Sequence, residues 1–258
     1  MGYREQWIAF VTILRKEIKR FTRIWVQTLL PPVITMALYF VIFGKLIGSR
    51  IGDMGGFTYI QFVAPGLIMM AVLTNAYSNV VSSFFSAKFQ RSIEEVLVSP
   101  TPNYILLLGY TMGGVARGLC VGVLVTIMSL IFTHLHIHSW LITLTIVLLT
   151  SMLFSLAGLY NAVYANTFDD VSIVPTFILT PLTYFGGVFY SISLLPEFWQ
   201  HVSRLNPILH MVNAFRYGIL GISDINITHA ILGLITGVII LFMISLHLLK
   251  TGKRLRPL

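Results

Sequence analysis

Charge is scarce in this sequence. Asp, Glu, Lys and Arg make up 10% of the 258 residues, while 56% are hydrophobic. A soluble domain carries about 25% charged residues. With a mean hydropathy of +0.85, too few polar side chains remain to cover a globule in water. The apolar surface must face lipid, which excludes a water-soluble helical bundle. Cysteine is nearly absent: Cys120 stands alone inside an apolar segment. No disulfide can form within the chain, and cysteine usage says nothing about redox compartment. Catalytic motifs are missing too. No G-x-x-x-x-G-K-[ST] loop occurs, because Gly44-Lys45 and Gly252-Lys253 lack the upstream glycine at the required spacing. Neither G-x-S-x-G, H-E-x-x-H nor a paired-cysteine motif is found. The chain is therefore read as a non-enzyme, with no catalytic residue and no cofactor of its own.

What is present is a set of long uncharged runs at 24–44, 54–87, 118–168, 171–196 and 225–249. A spanning helix needs about 20 apolar residues, and the third run is long enough for two. The expectation is an all-α integral membrane protein with six spans, near 24–46, 57–87, 104–132, 140–164, 171–190 and 225–249. Pro31-Pro32 should kink or reset the first and Pro65-Gly66 should bend the second. The fifth carries Pro175 and Pro181. No cleavable signal is expected, because the first apolar run is longer than a signal core.

The formal net charge is +8, yet nucleic acid is not the expected partner, since the basic residues flank the spans. Residues 3–22 read as an amphipathic helix lying on the membrane. Trp7, Phe10, Leu14, Ile18 and Phe21 share one face, and Arg15, Lys16, Lys19, Arg20 and Arg23 reach toward headgroups. Six Lys or Arg lie between Arg4 and Arg23, with Lys88 and Arg91 in the loop after span two. Lys250, Lys253, Arg254 and Arg256 form a basic tail, whereas Lys45, Arg50, Arg204 and Arg216 fall on the other side. Twelve against four places both termini in the cytoplasm.

Four features invite chemistry. The loop from Lys88 to Pro100 contains Ser92 and Glu95 at capping-box spacing, and Pro100 and Pro102 end its helix. That short helix, Arg91 to Ser99, is the best candidate for energy coupling, presenting Ile93, Val96 and Leu97 beside Glu94 and Glu95. Arg117, flanked by Gly113, Gly114 and Gly118, is a charge near membrane depth and a candidate for gating or dimer contact. The glycines would admit a neighbouring helix. His134, His136 and His138 form a metal-like cluster, but without a nearby acid or thiol they read as a polar turn. Residues 191–224, divided at Asn206-Pro207, read as interfacial or re-entrant helices.

This order of features resembles the ABC-2 type permease family, the membrane subunits of bacterial ATP-binding-cassette exporters. The resemblance covers essentially the whole chain. It rests on the basic N-terminus, on Phe89-Gln-Arg-Ser-Ile-Glu-Glu-Val-Leu-Val-Ser-Pro100 and on Pro175-Thr-Phe-Ile-Leu-Thr-Pro181. The most distinctive stretch is Gly186-Gly-Val-Phe-Tyr-Ser-Ile-Ser-Leu-Leu-Pro196, followed by Asn206-Pro207 and Phe215-Arg216-Tyr217-Gly218. The resemblance implies a connecting helix over 1–23 and a transmembrane domain over 24–258. A coupling helix is implied over 91–99 and short extracytoplasmic helices within 191–216. It further implies a bacterial inner-membrane location and pairing with a second copy of the chain. Two separate ATPase subunits would bind the ATP and magnesium. A substrate path between spans two and five would pass Asn75, Asn79, Thr180 and Thr183. The rival reading is a secondary transporter driven by an ion gradient. Such proteins place several ionisable groups at the bilayer midplane and often carry inverted repeats. Here only Arg117 is a candidate, and no repeat is visible.

Overall fold

The computed structural model describes residues 1–252, the side chains at 45 and 49 excepted. In chain order, α1 (Tyr3–Arg23) is followed by α2 (Trp25–Gly44) and a hairpin of β1 (Asp53–Met54) and β2 (Phe57–Thr58). Then come α3 (Tyr59–Phe89), α4 (Ser92–Val98), α5 (Asn103–Ser129) and α6 (Trp140–Tyr164). A broken helix over 168–184, here α7, leads to α8 (Glu197–Arg204), α9 (Pro207–Leu220) and α10 (Ile227–Thr251). Five of these are long and apolar enough to cross a membrane among the described residues: α2, α3, α5, α6 and α10. Lys253, Arg254 and Arg256 of the basic tail lie outside the described residues.

Local chemistry explains most boundaries. The helix breaks at Leu29 and restarts at Leu30, with Pro31 and Pro32 in its first turn, where a missing N–H costs nothing. This is the expected reset. From Phe40 to Ile47 the chain winds as a π-helix. At Pro65-Gly66 α3 shows no break. The hairpin turns on Gly55-Gly56, both at positive φ (59° and 83°), the conformation a two-residue primed turn demands. α7 differs most from expectation. It is α-helical over Phe168–Val174, π-helical over Pro175–Leu179 and α-helical over Thr180–Tyr184. It stops six residues short of the expected span end at 190. The Thr180 hydroxyl donates to the Pro175 carbonyl at 2.9 Å, beside the Thr180 N–H that the same carbonyl accepts across the widened turn.

The bundle is built around α3. Its most apolar stretch is 78% buried, against 17% for α2 and 11% for α10, so α3 is the axis and the other two present their sides outward. α5 and α6 flank α3 most closely. Small residues allow this. A methyl group on Gly118 would lie 3.2 Å from the Val72 carbonyl oxygen of α3, and one on Gly113 only 2.5 Å from the Glu17 side chain of α1. The glycines beside Arg117 therefore admit two helices, one on each side. One end of the bundle gathers α1, α4 and the 165–167 turn, with Tyr104 bonded to Gln6. The opposite end gathers the hairpin, the 133–139 loop, α8 and α9, with the His138 N–H donating to the Ile219 carbonyl at 3.1 Å.

Candidate functional site

α4 joins α3, the axis of the bundle, to α5, one of the two helices that flank it most closely. It does not start as the sequence suggests. Arg91 adopts the left-handed conformation (φ 59°, ψ 2°) and caps the helix without a side-chain bond. The Ser92 hydroxyl donates backward to the Ala87 carbonyl at 3.2 Å, so the Ser92–Glu95 capping box is not formed. α3 ends only at Phe89, which leaves no extended residue to serve as N-cap. The presented face differs as well. Ile93 is fully buried, and Val96 and Leu97 pack against the core. What projects is Arg91, Glu95 and Val98, the last 86% exposed, with Glu94 half-buried. The apolar residues of α4 are its anchor, and the projecting surface is mixed in charge.

The 165–167 turn abuts α4's root. Phe168 stacks edge-on against Phe85 at 4.9 Å and meets Phe89 at 5.0 Å. Lys88, expected as a loop cation, is buried and donates to the carbonyls of Val163 and Ala165, both at 2.7 Å. It thereby satisfies acceptors at the C-terminal end of α6, as a cation there should. At the start of α7 the Asp170 N–H donates to the Thr167 hydroxyl (3.2 Å). The Asp170 carboxylate accepts from the N–H groups of Asn166 (2.9 Å) and Thr167 (3.1 Å). These bonds, that from Asn166 first, hold the Asp170 carboxyl below its ordinary value. A lowered value means the contribution is present above the unfolded carboxylate range and lost as pH falls through the folded value. Thr167→Ala should destabilise this start by about 1 kcal/mol. Faster hydrogen exchange over 168–174, with the rest of the bundle unchanged, would register it.

The third component is polar and lies where α1 crosses α3 and α5. Glu17 has no exposed surface; the Ser83 hydroxyl donates to it at 2.6 Å, and Arg20 Nε lies 3.6 Å away. Arg20 donates to the Asn79 carbonyl (2.7 Å) and side-chain oxygen (2.9 Å). One turn further along α3, Arg117 donates to Asn75 Oδ1 (3.1 Å) and to the Thr28 carbonyl (3.2 Å) at the head of α2. α1 therefore does not simply lie with Trp7, Phe10, Leu14, Ile18 and Phe21 against one apolar surface. Glu17 and Phe21 are buried on its inward side with Ile13 and Arg20 half-buried beside them, while Trp7 is exposed.

Of the four residues expected along a substrate path, Asn75 and Asn79 are buried in this crossing and face α1 and α5. Thr180 and Thr183 sit on α7, their hydroxyls bonded to the Pro175 and Leu179 carbonyls. Thr180 is exposed and Thr183 buried. The structure does not bring the four together. A polar residue within a span satisfies a neighbouring helix, its own backbone or a water-filled path, and here the first two prevail. The three histidines are exposed along a rim, and no three metal-ligating side chains converge among the described residues.

The model of the ABC-2 type transporter family matches residues 8–220. The chain belongs to that family. The inner membrane transport permease YadH of Escherichia coli K12 is 60% identical over 250 residues, covering 97% of this chain and 98% of YadH. Nodulation protein J of Rhizobium meliloti (strain 1021) is 21% identical over 252 residues, covering 97% and 94%. This chain is thus an ABC transporter permease, a transport component with several apolar helices.

The distinctive stretch of this ABC-2 permease folds as one assembly at the end opposite α4. Gly187 turns the chain at φ 67°. Asn206 caps α9 by accepting from the Ile208 N–H at 2.9 Å, and it donates to the Leu182 carbonyl at 2.6 Å. Arg216, counted from the sequence as a loop charge, is buried. It donates to the carbonyls of Phe62 (3.2 Å) and Gly187 (2.7 Å) and stacks over the Phe62 ring at 3.8 Å. In the sequence Lys88 and Arg216 read only as loop charges, and nothing there singles out Glu17. The spacing Thr167-x-x-Asp170 was a legible capping signal that went unused.

Proposed function

We propose that this permease is the membrane half of an exporter. In this reading two copies work with two copies of a separate ATP-binding-cassette ATPase, to which the ATP and magnesium belong. The observation that carries the reading is α4: a short helix fixed by a buried isoleucine, with Arg91, Glu95 and Val98 turned outward. Such a knob suits a groove on a soluble subunit. Because Ile93 is seated against α3, a push on α4 passes to the axis of the bundle. Of Arg91, Ser92, Ile93, Glu94, Glu95, Val96 and Leu97, Arg91 and Glu95 are then outward contacts, Ser92 and Glu94 are half-buried, and Ile93, Val96 and Leu97 form the inward anchor.

Six crossings follow if α7 also spans. At 1.5 Å per residue its 17 residues reach roughly 25 Å, near the lower limit for a hydrocarbon core. Lys88, Arg20 and Arg216 make internal bonds. Setting them aside leaves ten basic residues against three, and both termini remain cytoplasmic. The Escherichia coli relative is named for the inner membrane, and we extend that location to this chain. α8 and α9 then lie at the extracytoplasmic end, and α9, buried against α3, takes the part of a re-entrant helix. The exposed side of α7, with Thr180 and Phe177, would meet the second copy around the substrate path. Arg117, tying α2 to α3, would change partners as that path opens. ATP-driven closure of the ATPases pushes α4, the helices tilt, and substrate leaves the cytoplasm or inner leaflet.

The test is co-expression with ATP-binding-cassette ATPase subunits from the same genome, followed by purification through a tag on the permease. A stoichiometric complex with altered hydrolysis is expected. Glu95→Lys should weaken co-purification at least about tenfold, since an opposed like charge at an interface costs more than the 1.4 kcal/mol of one decade. Glu94→Lys should weaken it less, as Glu94 is half-buried. An intact, active complex from the double variant would refute the role given to α4.

A further inference from the structure

Two hollows adjoin at the end opposite α4. The larger, about 360 Å³, opens between α3, α5, α6 and α9 and is almost wholly apolar, with Val72, Ile127, Leu144 and Phe215 in its wall. Its volume falls in the range of about 300–1,000 Å³ found for ligand sites. The smaller, about 250 Å³, is lined by Gln61, His134, His136 and His138. Ile137 and Ile219 belong to both walls. The loop between α5 and α6 explains the arrangement. Burial alternates along it, with the three histidines exposed and Leu135 and Ile137 half-buried. Leu135 and Ile137 close the apolar hollow, and the imidazoles make a polar rim above it.

The crevice opens toward lipid. Val123, Ile127 and Leu144 around it are exposed, and Trp140, 65% exposed at its wall, is the residue type that marks the membrane–water boundary. The rim offers imidazole and amide donors. Among the described residues no carboxylate lines it, and the Tyr217 ring meets His138 at 5.5 Å. An apolar slot in the bilayer beneath donors suited to an anion matches an amphiphile with a phosphate head. We propose that the pair of hollows holds one membrane phospholipid, with an acyl chain in the crevice and the phosphate against His134, His136 and Gln61. A second copy of the chain would fill the crevice but leave the donor rim unmatched, so the lipid is the occupant the chemistry favours.

The test uses the full chain in detergent and native mass spectrometry. The probes are palmitoyl-oleoyl-phosphatidylglycerol and palmitoyl-oleoyl-glycerol, which share chains and differ in the phosphate. The wild type should retain the phosphatidylglycerol about fivefold better, the worth of one hydrogen-bonded contact. His134→Ala with His136→Ala, both exposed, should abolish that preference while the diacylglycerol adduct persists. Thr126→Phe, which fills the crevice, should remove both adducts with the melting temperature unchanged. Equal retention of the two lipids by the wild type overturns the proposal, as does a preference that survives loss of both histidines. So does a Thr126→Phe protein that keeps its lipid or instead dissociates from a dimer.

Discussion

Arg216→Ala should be among the most damaging single substitutions in this permease. The side chain is buried and, besides a 3.4 Å bond to Asn213 Oδ1, makes three contacts that tie segments together. It donates to the Gly187 carbonyl at 2.7 Å and to the Phe62 carbonyl at 3.2 Å, and it stacks on the Phe62 ring at 3.8 Å. Removing it leaves a buried acceptor without this donor, worth about 1–3 kcal/mol, and deletes a desolvated cation–π contact worth about 2 kcal/mol. A void remains as well. A loss of about 3–5 kcal/mol is a large share of a total stability of about 5–15 kcal/mol. The damage should concentrate where Arg216 ties α9 to α3 and to the Gly186-Gly187 turn. Lysine should rescue little, because a point donor on a flexible stem cannot bridge two carbonyls and also lie flat on a ring. Thermal unfolding in detergent would show a fall of roughly 10 °C, at about 2–4 °C per kcal/mol for a protein of this size. A fall of less than about 2 °C would mean that Arg216 is held by the fold and does not hold it.

Arg216 also shows where reading by pattern stops. Spans were legible because charge-free runs of bilayer length have one physical solution, and α6 begins at Trp140 and ends at Tyr164 as expected. The restart at Pro31-Pro32 was legible because proline chemistry is local. Cations were not, because a count of Lys and Arg treats each as facing water. Lys88 and Arg216 are each short of solvent and rich in carbonyl acceptors, and those acceptors come from segments distant in sequence. The capping box at Ser92 failed for a neighbouring reason. The motif needs a free extended residue before the helix, and the left-handed turn at Arg91 removes it. In sequence Asn75 and Asn79 suggest a path lining because they are polar in a span. The fold gives their oxygens to Arg117 and Arg20, and α1 supplies one of those two arginines from the stripe that sequence had turned toward headgroups.

That crossing yields the second large effect. Glu17→Lys should release α1 from the bundle while leaving the crossing helices folded. Glu17 sits with no exposed surface between Arg20 and Ser83, and losing one member of a buried ion pair costs about 3–5 kcal/mol. Arg20 retains some solvent, which places the loss near the lower end, about 3 kcal/mol. A cation at this position would also stand beside Arg20 and replace an acceptor of the Ser83 hydroxyl. Glu17→Gln keeps the shape and that hydrogen bond and should cost less. The contacts of α1 run along α5 from Tyr104 to Gly113 and along α3 at Asn79 and Ser83, so its release should leave α3, α5 and α6 packed on one another. The expected signature is rapid trypsin cleavage at Arg15 to Arg23 with an otherwise protected core. Glu17→Ala and Arg20→Ala combined should show a coupling energy above about 0.5 kcal/mol. If α1 stays protected in Glu17→Lys, the apolar contacts of Ile13 and Phe21 suffice to hold it, and the ion pair is not the latch between α1 and the axis.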